Sequence, residues 1–248
     1  STTKGIVMQL KNGFGFGYGE GSWRWRYRRC DTTIGDYQRR QDKAPGLDGV
    51  TAQSLSRSEA AAAMRELSKL IYDKMYQPSR ARQIRIEKRS GGFRTIQIES
   101  VASRVVAIAL NQAVLPYAET FFLNGSHGFR RKRGVWSSLL AVEQLLQQGC
   151  HVIITDDVAK AFDNVSIDLV MEDHHRFLED PRLPGLIETV VRGKDAADRE
   201  TGIAQGCPYS PTALNVHLHF HLDTPSSEME GPCWVRYADN ILIAARDT

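Results

Sequence analysis

Aspartates carry the most legible chemistry in this sequence. In Ile153-Ile154-Thr155-Asp156-Asp157-Val158-Ala159-Lys160-Ala161-Phe162-Asp163, an apolar run delivers an aspartate pair into a turn. In Trp234-Val235-Arg236-Tyr237-Ala238-Asp239-Asn240-Ile241-Leu242-Ile243, another aspartate occupies the tip between two apolar runs. Successive strand residues face opposite sides, so only one of Asp156 and Asp157 can point into a given site. Acids beside buried strands are costly unless compensated, and a divalent cation held by oxygen ligands is an effective compensation. Asp and Asn also favour turns, so either cluster alone fits acids that merely serve the turn they sit in.

The elements that must position these acids are mixed. Ser56-x-x-Glu59 has the form of a capping box, and Met64, Leu67, Ile71 and Met75 follow at helical spacing. Ile84 and Ile86, then Ile96 and Ile98, alternate about the turn Ser90-Gly91-Gly92, which predicts a β-hairpin flanked by Arg85, Lys88, Arg89 and Arg94. Val101 to about Tyr117, Val135–Gln148, Ile167–Leu178 and Pro211–Leu222 read as helices. His151–Thr155 reads as a buried strand, and Cys233–Tyr237 and Ile241–Ala245 as strands about the Asp239 turn. Without regular βαβ alternation, the class is α+β.

The chain has 248 residues, 42% of them hydrophobic and 25% charged, enough for one large domain or two small ones. Residues 1–40 hold Lys4, Lys11, Arg24, Arg26, Arg28, Arg29, Arg39 and Arg40 against Glu20, Asp31 and Asp36, so this stretch is basic although the net charge is only +3. Within it, Gly and aromatics alternate from Gly13 to Gly19, and Trp23-Arg24-Trp25-Arg26-Tyr27-Arg28 would put rings on one strand face and guanidinium groups on the other. That pattern suits single-stranded nucleic acid, and it equally suits an edge strand with solvated arginines. No run of about eighteen apolar residues stands out, so no membrane partner and a cytoplasmic setting are expected. Cys30, Cys150, Cys207 and Cys233 lie too far apart for a cysteine metal site. His217 and His221 would share a helix face, and a packed helix is the reading favoured there over a metal cluster.

Taken in order, these segments resemble the reverse transcriptases of the group II intron type over about Ala44 to Ala245. Ala44-Pro45-Gly46-Leu47-Asp48-Gly49-Val50-Thr51 resembles the first fingers motif of that family, and Lys88 with Arg94-Thr95-Ile96-Gln97-Ile98 its basic hairpin. Ser103-Arg104-Val105-Val106 and Ser126-His127-Gly128-Phe129-Arg130 are similar to the next two motifs. Asp157-x5-Asp163 with Phe162 resembles the first catalytic motif, Gln205-Gly206-Cys207-Pro208-Tyr209-Ser210-Pro211 the substrate-binding motif, and Tyr237-Ala238-Asp239-Asn240 the Y-x-D-D box. Motifs that are weak singly gain weight from their order.

The resemblance implies right-hand polymerase fingers and palm, with an antiparallel palm sheet packed on helices: an extension over 1–40, fingers over 41–135 and palm over 136–248, the thumb being absent because Thr248 follows the catalytic hairpin closely. It implies RNA-directed DNA polymerase activity, with an RNA template, a DNA or RNA primer and dNTPs as partners, and further domains of a longer parent protein. Asp157 and Asp239 would be catalytic and, with the Val158 carbonyl, would hold two Mg²⁺ ions, Mn²⁺ being the alternative. Phe162 would exclude a ribose 2′-hydroxyl, Gln205 and Gly206 would meet the incoming nucleotide, and Lys88 and Arg94 would hold its triphosphate. Asn240 stands where the family motif has Asp, Gln97-Ile98-Glu99-Ser100 replaces an Ile-Pro-Thr-like stretch, and Ser103 replaces Asp. A catalytically impaired polymerase fold, kept as an RNA-binding or assembly module, is the alternative these departures support. RNA polymerases share such a palm, but Phe162 argues against that chemistry.

Overall fold

The computed structural model describes residues 44–87, 91–180, 183–194, 199–231 and 233–246. The basic stretch 1–40 and Lys88, with the adjoining Arg89 and Ser90, lie outside the described residues. The described elements run α1 Arg57–Tyr72, β1 Arg82–Glu87, β2 Phe93–Ile98, α2 Val101–Phe121, α3 Val135–Gln147, β3 Val152–Asp157, α4 Ala161–Asn164, α5 Ile167–His175, α6 Leu183–Arg192, α7 Ser210–Leu218, a π turn His219–Asp223, α8 Thr224–Glu228, β4 Cys233–Tyr237 and β5 Asn240–Ala245. The class is α+β, as the patterns predict, and both sheets are antiparallel.

The chain divides into two compact units. One takes in the described residues of Ser1–Ala113, Leu178–Arg199 and Ala204–Tyr209, and the other those of Val114–Phe177, Glu200–Ile203 and Ser210–Thr248. In the second, the sheet order is β3-β5-β4, and Leu115, Ala118, Phe122 and Val216 form a core cluster joined by Phe121, Phe177 and Phe220. β3 is longer than expected and is not buried: every residue from Val152 to Asp157 is exposed. The reason is topological, because β3 is an edge strand paired only to β5 among the described residues. α2 is long and apolar enough to cross a membrane by length and composition alone, a feature the sequence reading passed over, but most of it is buried in the protein as a core helix.

In the first unit, α1 begins at the expected cap. Ser56 Oγ accepts from the Glu59 amide at 3.3 Å while the Glu59 carboxylate accepts from the Ser56 amide at 2.8 Å, which satisfies two otherwise orphaned donors. The helix ends before Met75, since Asp73 caps it and Lys74 turns to φ 56°, leaving Met75 exposed and Tyr76 buried. β1 and β2 pair from Arg82↔Ile98 to Glu87↔Phe93, giving the predicted hairpin. α6, which the sequence reading passed over, buries Leu183, Ile187, Val190 and Val191 at helical spacing.

The stretch after β2, where the sequence departs from the family pattern, is held by hydroxyl groups. Ser79 Oγ donates to Ser100 Oγ at 2.7 Å, and Ser103 Oγ accepts from the Ser79 amide at 3.0 Å. Beside them Glu99 is buried, and that burial pushes its pKa up to about 7, against the opposing pull of Arg104 and a Cys207 contact. A carboxyl whose folded pKa is raised contributes stability in its neutral form below the unfolded value, and that contribution is lost as pH rises through about 7. Glu99→Gln should therefore gain stability over the parent chain between pH 5 and 8, by about 2 kcal/mol at the upper end. Urea denaturation at the two pH values measures it, and a difference that does not grow with pH would contradict the assignment.

Candidate active site

The acids converge because of strand register. β3 pairs with β5 so that Asp157 lies opposite Asn240 and Asp156 opposite Ile241, while β4 pairs with β5 through Tyr237↔Asn240. Directly opposed residues share a face, so Asp157 is on the face of Asn240 and Asp156 is on the other. The Val158 amide donates to the Asp239 carbonyl at 2.8 Å, tying the end of β3 to the turn that carries Asp239. The structure thus brings Asp157, Val158, Asp239 and Asn240 together at one end of the sheet. The carboxylates are not buried as the sequence suggested, since Asp156 and Asp157 are exposed and Asp239 is half-buried. Water meets much of their solvation need.

The turn is strained and braced. Ala238 adopts φ 58° and Lys160, before α4, adopts φ 49°; left-handed backbone at non-glycine residues costs on the order of 1–3 kcal/mol and concentrates at functional sites. The brace is Arg236, which is fully buried. Its Nε and Nη2 donate to Asp223 Oδ1 and Oδ2 at 2.6 Å each. Nη1 donates to Asn215 Oδ1 at 2.9 Å and to the Ala238 carbonyl at 2.7 Å, and Nη2 also donates to Ser126 Oγ at 2.8 Å. All five guanidinium protons are engaged. Asn215 in turn donates to the Gly128 carbonyl at 2.8 Å.

Ser126-His127-Gly128-Phe129-Arg130 is the other side of this clamp. Gly125–His127 runs along β4 as a short parallel bridge, with the Arg236 amide donating to the Gly125 carbonyl and the His127 amide to the Arg236 carbonyl, both at 2.8 Å. A Cβ on Gly128 would lie 2.2 Å from the Ala238 nitrogen, so only glycine lets the loop close on the turn. Burial, with Arg133 and Arg130 nearby, lowers the His127 pKa to about 4, and its Nδ1 lies 2.8 Å from Ser137 Oγ. Arg130 is buried and bonds Glu119 together with the Leu123 and Ser126 carbonyls.

Phe162, in α4, is half-buried, and its carbonyl accepts from the Ile203 amide at 2.7 Å. Within the first unit, the Gln205 carbonyl accepts from the Gln97 amide at 2.7 Å, joining the segment of Gln205 to β2. Gly206 has φ 118°, and a Cβ there would stand 2.2 Å from the Gln97 carbonyl oxygen. The close approach demanded of Gly206 is thus to the hairpin backbone. Arg94 is exposed on β2, opposite Ile86, and Lys88 lies outside the described residues.

Asp157, Asp239 and the Val158 carbonyl are hard oxygen donors of the kind Mg²⁺ takes, and that carbonyl accepts only a 3.2 Å bond from the Ala161 amide among the bonds described, leaving a lone pair. The donor set fits a divalent ion. Asn240 Nδ2 donates to Asp239 Oδ1 at 3.3 Å, so the amide leans on the carboxylate as a donor. Sequence reasoning missed Arg236, Asp223 and Asn215. An arginine inside an apolar strand was the available signal, since a buried charge requires a partner.

The sequence is similar to those of known proteins. The family described as "Reverse transcriptase (RNA-dependent DNA polymerase)" matches residues 86–248. Protein YkfC of Escherichia coli (strain K12) is 30% identical over 71% of this chain and 48% of its own length. A COX1/OXI3 intron 2 protein of Saccharomyces cerevisiae is 24% identical over 69% of this chain and 20% of its own. The chain therefore spans less than half the length of either relative. A chain of a solved partial Cas6-RT-Cas1--Cas2 complex aligns over 94% of this chain and 42% of that one, at 14% identity and a TM-score of 0.48.

Removing one partner of the clamp strands a buried charge. Arg236→Met and Asp223→Leu should each cost about 3–5 kcal/mol, whereas the double variant should cost clearly less than their sum. Denaturant midpoints across the cycle measure this, and strict additivity would show that the pair is not coupled.

Proposed function

The chain belongs to the reverse transcriptase (RNA-dependent DNA polymerase) family, and on that premise we propose that it is the core of an RNA-directed DNA polymerase extending a DNA or RNA primer on an RNA template with dNTPs. One observation carries the reading: Asp157 on the Asn240 face of the sheet, with Val158 bonded to Asp239, gives two carboxylates and a free carbonyl lone pair at one sheet end. In this reading residues 41–135 are fingers and 136–248 palm, within a longer parent protein.

Asp157, Asp239 and the Val158 carbonyl would hold two divalent ions, Mg²⁺ in the first place. Such ions, when bound, activate the attacking 3′-hydroxyl and neutralise the leaving oxygens. The protein's own groups do the rest. Phe162 presents a ring where a 2′-hydroxyl would have to fit, Gln205 and Gly206 meet the nucleotide, and Lys88 and Arg94 neutralise the triphosphate. The Arg236 clamp fixes the Asp239 turn before substrate arrives, so reorganisation is small.

A second reading, a polymerase fold that binds RNA or assembles with partners but turns over poorly, is favoured by Asn240, which lacks the negative charge of the family motif's Asp and whose amide occupies a carboxylate oxygen of Asp239.

Metal-dependent primer extension on an RNA template separates the two. Asp157→Asn and Asp239→Asn should each reduce extension by roughly a thousandfold, because several kcal/mol of charge stabilisation is lost and each ~1.4 kcal/mol is tenfold. Asn240→Asp should raise it. If neither the parent chain nor Asn240→Asp extends a primer, the module reading stands instead. Phe162→Ala should improve ribonucleotide use relative to deoxynucleotides by about tenfold, and unchanged discrimination would remove Phe162 from its assigned role.

A further inference from the structure

His217 and His221 acquire a third neighbour in the fold that no pattern along the sequence marks. Asp173, on α5, is fully buried. Its Oδ2 lies 2.9 Å from His217 Nδ1, and both its oxygens lie 3.1 Å from His221 Nε2. The imidazole rings are stacked at 4.4 Å between centroids and tilted by 34°. One ligand atom from each residue falls within 4.8 Å of the other two. We propose that Asp173, His217 and His221 form a second metal site, selective for a divalent transition ion of the Zn²⁺ type and distinct in its residues from Asp157 and Asp239.

Two imidazole nitrogens and one carboxylate are a poor set for Mg²⁺ and a good one for Zn²⁺. Zn–N and Zn–O bonds of about 2.0–2.1 Å in a tetrahedron separate the ligand atoms by about 3.3 Å, so each imidazole–carboxylate spacing has to open by only a few tenths, and the two imidazole nitrogens, which lie within 4.8 Å of one another, have to settle at that same separation. With the ring protons on the nitrogens facing away, His217 Nδ1 and His221 Nε2 offer their lone pairs to an ion. The His221 side chain is 36% exposed, which leaves water able to complete the coordination. The opposing feature is Arg176, whose Nη1 stands 3.7 Å from Asp173 Oδ1. Its guanidinium also pairs with Glu172 at 3.3 Å and stacks on Phe220 at 4.9 Å, so other contacts hold it when Asp173 turns to an ion.

The location gives such a site a consequence. His221 lies in the π turn His219–Asp223, the same five residues that supply Asp223 to Arg236. π bulges in helices recur at functional positions. An ion on Asp173, His217 and His221 would staple α5 to this turn and stiffen the support of the Asp239 hairpin.

The test uses the whole chain, stripped with a chelator and titrated with Zn²⁺ and with Co²⁺. One equivalent should bind in Asp157→Asn as in the parent, Co²⁺ should develop visible absorption, and excess Zn²⁺ should raise the melting temperature by about 5 °C. His221→Ala, at a partly exposed position, should weaken binding by more than the ~10–100-fold expected for loss of an outer-shell group, and His217→Gln should do likewise. Failure to bind a stoichiometric ion, binding undiminished in both histidine variants, or binding lost in Asp157→Asn would each overturn the proposal. None of these results depends on polymerase activity, so the site stands or falls apart from the function assigned above.

Discussion

The end of the sheet that carries Asp157 and Asp239 depends on one buried ion pair. Arg236 sits in a strand of the sheet with its guanidinium removed from water, and Asp223 is equally buried opposite it. Two charges out of solvent are tolerable only when geometry is good and every remaining proton and lone pair is engaged. Here a bidentate fork to Asp223 is completed by Asn215, Ser126 and the Ala238 carbonyl. The pair is better understood as a device of position than of stability. A well-packed apolar replacement could match its stability, but it could not bind at once to a helix, a loop and the backbone of the turn that carries Asp239.

That backbone contact is where the packing becomes chemistry. Ala238 is held at positive φ, an unfavourable state for a residue with a Cβ, and the arginine bonds to its carbonyl while Gly128 closes on its amide nitrogen. The strain is local and the restraint comes from two directions. Asp239 is therefore presented at the end of the sheet by contacts from the protein itself, which is the preorganisation that the proposed electrostatic role requires.

How much of this was legible in the sequence depends on whether the signal was local. The Ser56 to Glu59 cap, the alternation around β1 and β2, and the turn at Asp239 are set by neighbours within a few residues, and each was readable. The exposure of β3 was not, because an apolar run looks alike in an edge strand and a buried one, and only the sheet order distinguishes them. α6 was missed although its apolar spacing is helical. Asp173 facing His217 and His221, and Asp223 facing Arg236, are contacts across long or intermediate separations between ordinary residues. Apart from the arginine inside an apolar strand, nothing in their own surroundings marks them. Gly206 shows a subtler case: the group that requires glycine there, the Gln97 carbonyl, belongs to a strand distant in sequence.

Asn240 is the residue where stability and function pull apart. Register sets it beside Asp157, and its amide donates to Asp239. An aspartate in its place would add a third carboxylate at the sheet end, repelling the other two until a cation arrived. The asparagine replaces that repulsion with an attractive contact, which in the proposed reading relaxes the site and weakens its hold on divalent ions. Active sites commonly hold such unfavourable charge, and relieving it stabilises the fold at the expense of catalysis. The remaining frame, with Asp157, Asp239, the strained turn and the buried arginine, retains the arrangement that the missing charge would serve.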